Sequence, residues 1–146
     1  IKFQTTMKNN RGHCRERKKM NSGRPRVLVA DDEMVMRMFI SSILAKMNID
    51  VVGQACNGNE AVSMFREAKP DLLLMDINMP LKTGEEALEE IRAEFPGARV
   101  IMLTSVIESE TVEKCLSLGA VGYIRKDSPV DEIKAIISDS LKSEGQ

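Results

Sequence analysis

The chain has 146 residues, of which 42% are hydrophobic and 29% are charged, as is ordinary for one globular domain. This composition excludes a wholly disordered chain, a collagen-like repeat and a small disulfide-stabilised scaffold. The three cysteines, Cys14, Cys56 and Cys115, show neither zinc-ligand nor redox-pair spacing, which favours the reducing cytoplasm. No apolar run is long enough to cross a bilayer, so we expect no contact with a membrane.

The charged residues are distributed unevenly along the chain. Residues 1–26 carry nine Lys or Arg and one acid, whereas the rest of the chain has 12 basic and 21 acidic residues, a net charge of −9. A basic arm can mark a nucleic-acid contact, but polar tails are more often disordered. We predict that residues 1–26 form a disordered N-terminal arm, and we do not expect this chain alone to bind nucleic acid.

From residue 27 onward, short apolar runs alternate with helical periodicity. Val27–Ala30 is a continuous apolar run, which predicts a strand buried on both faces. Apolar residues then recur at helical spacing over 36–47, and Asp50–Ala55 predicts the second strand. Asn57 and Gly58 are typical of a turn, and a helix is predicted from Ala61 to Ala68.

The second half of the chain continues this alternation. Leu72–Met75 predicts the third strand, a helix follows over 88–95, and Val100–Leu103 predicts the fourth strand. Val112, Cys115 and Leu116 indicate a helix that Gly119 ends as a left-handed cap, before a fifth strand at Ala120–Ile124. The last helix is predicted to begin with Ser128 as N-cap and Pro129 in its first turn. Its buried stripe consists of Val130, Ile133, Ile137 and Leu141.

Five strand–helix units with apolar strands predict an α/β fold over residues 27–146. We expect a five-stranded parallel sheet of order 2-1-3-4-5, in a flavodoxin-like, doubly wound (βα)5 sandwich of three layers. Strands one and three are neighbours in that order. Side chains that follow these two strands are therefore expected to lie close together.

Polar residues directly follow four of the predicted strands, where open α/β sheets bind their ligands. Three carboxylates that converge there repel one another unless a cation neutralises them, and oxygen ligands of this kind suit Mg²⁺. A carboxylate can act as a nucleophile, and a lysine with a hydroxyl can stabilise the oxygens of a phosphoryl group. The pattern therefore predicts a phosphoryl site. The residues concerned are Asp31, Asp32 and Glu33; Asp76; Thr104 and Ser105; and Arg125 and Lys126.

Four motifs then resemble a known family, and together they span residues 27–142. They are VLVADDE (Val27–Glu33), DLLLMDINMP (Asp71–Pro80), VIMLTS (Val100–Ser105) and GAVGYIRKD (Gly119–Asp127). In order and spacing they resemble the receiver domain of two-component response regulators, particularly the stand-alone chemotaxis type. The resemblance implies a phosphorelay protein that changes its partner binding and is not a turnover enzyme.

The resemblance assigns a role to each acid of the predicted site. Asp76 matches the aspartate that accepts the phosphoryl group. Asp31 and Asp32 match the acidic pair that binds Mg²⁺ together with Asp76, Asp32 directly and Asp31 through water. Asn78 matches the residue that offers its backbone carbonyl to the metal.

The resemblance also implies how the signal is passed on. Thr104 matches the hydroxyl that turns toward the phosphoryl group, Lys126 the lysine that pairs with it, and Tyr123 the aromatic switch. The face formed by the fourth helix, fifth strand and fifth helix would then be read by a downstream effector protein. A sensor histidine kinase or a phosphotransfer protein would be the phosphodonor. The protein would be a monomer or a dimer formed on phosphorylation.

Each of these residues also has a simpler structural interpretation. Asp31 is suited to cap the first helix, and Asp76 to a turn before Asn78 and Pro80. Thr104 is suited to cap the following helix. Lys126 is suited to a solvated surface position like many other charged residues. Tyr123 is suited to a half-exposed strand position without a switch role.

The lysine loop departs from the family pattern. Many receivers have proline directly after the lysine, whereas Asp127 follows Lys126 here. The segment GYIRKDSP is more similar to receivers joined to helix-turn-helix domains, so a fragment of a DNA-binding transcription regulator is an alternative. The single histidine, His13, lies in the basic arm, and we therefore expect an acceptor without kinase activity.

Two further classes of function are compatible with the pattern. A Mg²⁺-dependent phosphatase of the haloacid-dehalogenase type also uses an aspartate nucleophile, but it places a second aspartate where Asn78 stands here. The fold alone would admit a flavin. With no Trp and one Tyr, the sequence offers little to stack against a flavin ring.

Overall fold

The computed structural model describes residues 23–105 and 109–142, so residues 1–22 of the predicted basic arm lie outside the described part. Strands and helices alternate along the chain. The strands are β1 (Arg26–Ala30), β2 (Asp50–Ala55), β3 (Leu72–Asp76), β4 (Val100–Thr104) and β5 (Gly122–Arg125). The helices are α1 (Met34–Lys46), α2 (Gly58–Ala68), α3 (Gly84–Glu94), α4 (Ser109–Ser117) and α5 (Val130–Lys142).

The five strands form one parallel sheet in the order β2-β1-β3-β4-β5, which confirms the predicted topology. All residues of β1, β3 and β4 are buried, as their continuous apolar runs indicate. The register between β1 and β2 shifts between Val27 and Leu28, which pair with Val51 and Gly53.

Helices cover both faces of the sheet and complete a three-layer sandwich. Alternate residues along each strand point to opposite faces, so two separate apolar clusters form. One cluster packs α1 and α5 through Ile40, Ile43, Leu44, Ile133 and Ile137. The other packs α2, α3 and α4 through Val62, Phe65, Leu88, Ile91 and Cys115. None of the helices in the described ranges is long and apolar enough to span a membrane.

Two details of the predicted helices are wrong. Helix α5 begins at Val130, and the carbonyl of Pro129 accepts from Ile133 N at 3.1 Å, so Pro129 rather than Ser128 occupies the N-cap position. Phe39 and Leu116, which were predicted on apolar helix faces, and Val130, which was predicted in the buried stripe of the last helix, are exposed. Gly119 has a φ of +112°, which confirms its predicted left-handed conformation after α4.

Three arginines lie at the amino ends of the strands and donate to main-chain carbonyls near helix ends. Arg26 Nη1 donates to Ala68 O at 2.8 Å, at the end of α2. Arg92 Nη1 donates to Ala98 O at 3.0 Å, beyond the end of α3, and Arg99 Nη2 donates to Ser140 O of α5 at 2.7 Å. Arg26 and Arg99 thereby satisfy carbonyls that helix ends leave without partners, and Arg92 binds the segment between α3 and β4.

Candidate functional site

Asp31 follows β1 directly and is fully buried. Its N–H donates to Ala55 O at 3.0 Å, and its Oδ1 accepts from Glu33 N at 2.9 Å. Glu33 itself holds the N-cap position of α1, so Asp31 fixes the loop before the helix instead of capping it. Asp31 Oδ2 is buried and has no well-aligned hydrogen bond among the described residues, although it forms an ion pair with Lys126.

Asp76 is the last residue of β3 and is 5% exposed. Strands β1 and β3 are neighbours, with Ala30 paired to Met75, so the residues after each strand end side by side. Asp31, Asp32 and Asp76 each offer a carboxylate oxygen, and these atoms all lie within 4.8 Å of one another. The structure thus brings together the three acids that the sequence singled out. The donor set fits a hard divalent cation, because it offers three carboxylate oxygens that repel one another.

Lys126 lies among these acids. Its Nζ is 2.7 Å from Asp31 Oδ2, 3.3 Å from Asp76 Oδ1 and 3.6 Å from Glu33 Oε1. The lysine side chain is only 9% exposed, so the interpretation as a solvated charge is wrong. Asp127, which stands where many receivers have proline, turns outward and pairs with Arg125 at 2.8 Å.

The electrostatics of Asp76 follow from this packing. Burial, together with the nearby charge of Asp31, raises the pKa of Asp76 to about 6, although Lys126 and the backbone N–H of Asn78 oppose the shift. Burial disfavours the charged form of Lys126, but its hydrogen bonds and charge interactions with Asp31 and Asp76 outweigh burial and raise its pKa. At neutral pH the site therefore holds an ionised Asp76 beside a protonated lysine.

The other predicted site residues lie around this centre. Thr104 is buried at the end of β4, and its carbonyl accepts from Lys126 N at 2.7 Å, which places the two residues side by side. Asn78 is exposed in the loop between β3 and α3. Tyr123 lies on the edge strand β5 and is 41% exposed. It does not contact the acidic centre through any hydrogen bond or ion pair of the described residues.

The loop between β3 and α3 is held by close main-chain contacts that sequence analysis missed. Gly84 N donates to Ile77 O at 2.7 Å, and a Cβ on Gly84 would lie 2.0 Å from Asp76 O. A Cβ on Gly58 would lie 2.1 Å from Lys82 O in the same loop. Helices α2 and α3 both begin directly against this loop, and because the backbone atoms are so close, only glycine fits at either position.

Capping residues fix where these two helices begin. Asn57, predicted only as a turn residue, is the N-cap of α2 and accepts from Glu60 N at 2.8 Å. Thr83 and Glu86 form a reciprocal capping box at α3, with bonds of 3.1 and 3.0 Å. The spacing Thr-x-x-Glu was a signal in the sequence that could have located this helix start.

Two further residues lie beside these acids: Glu33, which was named in the predicted site without a role of its own, and Arg37, which was not predicted there. Glu33 is a third acid within reach of the lysine, as described above. Arg37 Nη1 donates to the main-chain carbonyl of Asp31 at 2.7 Å. The sequence signal for this bond was the position of Arg37 at the start of the predicted helix, six residues after Asp31.

Comparisons with known proteins agree with this geometry. The family model described as response regulator receiver domain matches residues 27–138. The chain is 41% identical over 115 residues to the chemotaxis protein CheY of Halobacterium salinarum, covering 79% of this chain and 95% of that protein. It is 38% identical over 120 residues to the response regulator protein VraR of Staphylococcus saprophyticus, covering 82% of this chain but 57% of the relative.

A solved structure shows the same arrangement of strands and helices. The CheX–CheY–BeF₃–Mg²⁺ complex from Borrelia burgdorferi contains a chain similar to this one, with a TM-score of 0.77 and 26% identity. The match covers 82% of this chain and 92% of that chain. The fold is therefore shared with that solved chain.

Proposed function

Because the chain belongs to the response regulator receiver domain family of two-component systems, we propose that it accepts a phosphoryl group on Asp76. The donor is a sensor histidine kinase or a histidine phosphotransfer protein, and the transfer takes place in the cytoplasm. We assign the receiver to residues 27–146 and an arm to the residues before it, except that Arg26, predicted as the last residue of the arm, is the first residue of β1. The observation that carries the proposal is the convergence of Asp31, Asp32, Asp76 and Lys126 at one edge of the sheet.

The transfer is a displacement at phosphorus. A carboxylate oxygen of Asp76 forms a new O–P bond while the P–N bond to the donor histidine breaks, and the electron pair leaves with the imidazole. The nucleophile must be ionised, which holds at neutral pH because the pKa of Asp76 is about 6. Lys126 is placed to neutralise the transferred phosphoryl group, since its Nζ already lies 3.3 Å from Asp76. Thr104 lies beside Lys126 and would supply the hydroxyl for another phosphoryl oxygen.

The carboxylates of Asp31, Asp32 and Asp76, with the backbone carbonyl of Asn78, would hold Mg²⁺. The ion would neutralise charge on the phosphoryl oxygens. A buried Asp31 oxygen without an aligned hydrogen bond supports this assignment. The similar CheY from Borrelia burgdorferi forms its complex together with Mg²⁺, which supports the same cofactor here.

Phosphorylation would act by shifting the balance between two conformations, one of which binds the downstream effector better. The face of α4, β5 and α5 is suited to that contact, because four apolar side chains are exposed along it. Thr104 and Tyr123 would link this face to the phosphoryl group. The four exposed residues are Leu116, Val121, Tyr123 and Val130. The same apolar face would support a dimer of the phosphorylated form.

A second exposed apolar surface adjoins the mouth of the site. Met34, Val35 and Met38 are exposed at the start of α1, directly after the acidic loop, and Leu81 is exposed in the loop after β3. Exposed apolar groups of this kind mark contact surfaces. We assign this surface to the phosphodonor, since the donor must approach Asp76.

The experiment that tests the proposal is intact-mass analysis after incubation with acetyl phosphate, with and without Mg²⁺. We expect the wild type to gain one phosphoryl group only with Mg²⁺, and Asp76→Asn to gain none. The exposed Asp139→Asn on α5 is the matched control and should behave as wild type. Equal phosphorylation of Asp76→Asn, or of the wild type in a metal chelator, would contradict the proposal.

One observation favours a second candidate, in which this receiver is part of a longer regulator. The match to VraR covers 57% of that protein, so the relative contains further sequence beyond its receiver. In that case the signal would pass to an attached output domain, such as one that binds DNA. Intact mass of the protein from its native cells distinguishes the two, because an attached output domain would add the mass of a whole domain to the 16.3 kDa of this chain.

A further inference from the structure

Three hydrogen bonds fix the acidic residue Asp31 in the loop between β1 and α1. Its N–H donates to Ala55 O at 3.0 Å, and its Oδ1 accepts from Glu33 N at 2.9 Å. Its main-chain carbonyl accepts from Arg37 Nη1 at 2.7 Å. The remaining polar atom, Oδ2, faces Lys126 and the other carboxylates. The orientation of this oxygen therefore depends on how firmly the loop is held.

Arg37 is an unusual anchor for such a loop. Its guanidinium donates to a carbonyl and forms no ion pair with a carboxylate in the part of the chain that the structure describes. A charged donor makes a stronger hydrogen bond to a carbonyl than a neutral donor does. The bond runs from the first turns of α1 back across the loop, so it joins the helix to the residue that carries the acid.

We propose that Arg37 is a positioning residue for the metal site. Its bond to the carbonyl of Asp31 holds the loop so that the oxygens of Asp31 and Asp32 meet a divalent cation in one fixed arrangement. The inference rests on the proposed Mg²⁺ site, but it concerns a residue that is not itself a ligand. Partners that orient metal ligands in this way commonly change the metal affinity when they are removed.

The sign of the effect separates positioning from simple electrostatics. Arg37 carries a positive charge near the acids, so its removal should strengthen Mg²⁺ binding if charge alone matters. If Arg37 positions the loop, its removal should weaken Mg²⁺ binding instead. A merely structural role would lower the stability of the fold without weakening Mg²⁺ binding by the folded protein.

The first test is calorimetric titration of the full chain with MgCl₂. We expect Arg37→Met to weaken Mg²⁺ binding by about tenfold and Arg37→Lys, which keeps a charged donor, to lie between Met and wild type. Arg66→Met is the matched control, because Arg66 pairs with Glu90 and Glu94 on the outer surface and should leave the affinity within about twofold. Unchanged or tighter Mg²⁺ binding by Arg37→Met would overturn the inference.

A second measurement needs no metal. Amide hydrogen exchange of the metal-free protein reports whether the loop is held, because Asp31 N and Glu33 N are both hydrogen-bonded in it. We expect Arg37→Met to lower protection at these amides by about tenfold, while Arg66→Met leaves it unchanged. Unchanged protection in Arg37→Met would overturn the positioning role. Failure of the wild type to bind Mg²⁺ would instead overturn the proposed metal site.

Discussion

Gly84 lies against the main-chain carbonyl of Asp76 so closely that a Cβ at position 84 would be 2.0 Å from the carbonyl oxygen. The two residues begin and end the loop between β3 and α3. The contact is between main-chain atoms, so it cannot be relieved by the rotation of a side chain. It fixes the distance between the start of α3 and the residue that we assign as phosphoacceptor.

The substitution Gly84→Ala should therefore destabilise the protein by about 2–4 kcal/mol, because the added methyl group forces the loop away from the end of β3. Urea unfolding followed by circular dichroism measures the change. Gly97→Ala is the control, since nothing lies within 4 Å of a Cβ at that exposed position. A similar free energy of unfolding for both variants would contradict the close approach at Gly84.

Asp76→Asn should stabilise the metal-free protein at neutral pH. The pKa of Asp76 is raised to about 6 in the folded state, so between about pH 4 and pH 6 the folded state binds more protons than the unfolded state. The stability of the wild type consequently falls, relative to the variant, as the pH rises through this range. Asparagine carries no charge and does not lose stability in this way, so we expect the variant to gain about 1–2 kcal/mol in free energy of unfolding at pH 7.5. The gain is smaller than the full pKa shift implies, because Lys126 and solvent partly compensate the charge of Asp76.

Urea unfolding of wild type and Asp76→Asn in a metal chelator, at about pH 4 and about pH 7.5, checks this prediction. The advantage of the variant should be present at the higher pH and should shrink at the lower one. Asp139→Asn serves again as an exposed control. A variant that is less stable than wild type at pH 7.5 would show that the carboxylate of Asp76 is not destabilised by its surroundings.

Lys126→Met should bind Mg²⁺ at least about threefold more tightly than the wild type, although it should accept phosphoryl groups more slowly. The ammonium of Lys126 pairs with carboxylate oxygens that would bind the metal ion, with Nζ 2.7 Å from Asp31 Oδ2 and 3.3 Å from Asp76 Oδ1. Its positive charge also repels the ion. Calorimetry and the rate of acetyl phosphate transfer measure the two effects. Arg125→Gln, which alters the neighbouring exposed charge, should change neither by more than about twofold.

Arg26→Ala should cost about 1–2 kcal/mol of stability. Arg26 is buried at the start of β1, and its Nη1 donates to Ala68 O at 2.8 Å and to Lys69 O at 3.2 Å, so alanine leaves both carbonyls without these donors. Arg24→Ala is the control two residues earlier. Its guanidinium pairs with the exposed Asp50 at 3.4 Å, and we expect a change below about 0.5 kcal/mol. Thermal or urea unfolding of Arg26→Ala and Arg24→Ala measures the two changes in stability.

Most of the fold was predictable from the sequence, because β1, β3 and β4 are continuous apolar runs and each is followed by helical periodicity. The convergence of Asp31 and Asp76 was predictable for the same reason, since the strand order makes β1 and β3 neighbours. The positions of these acids follow from local pattern and topology together.

The remaining features depend on contacts between segments distant in sequence. Position 58 requires glycine because the carbonyl of Lys82, 24 positions later in the sequence, packs against it. A local sequence pattern does not predict this contact. The burial of Lys126 depends on the packing of β5 beside β4. The exposure of Phe39 shows the converse, because an apolar residue at helical spacing still lies outside the core.

The arginines at the amino ends of the strands, Arg26, Arg92 and Arg99, have a consequence at longer range. They lie at the opposite end of the sheet from Asp31, Asp32 and Asp76, so none of the three arginines compensates the acids of the site. The acids there, which include Glu33, outnumber the cations Lys126 and Arg37, so the site carries a net negative charge that attracts an approaching cation or basic surface before contact. Salt screens this attraction over about 8 Å at physiological ionic strength, so the rate of encounter with a basic partner should fall as salt is added.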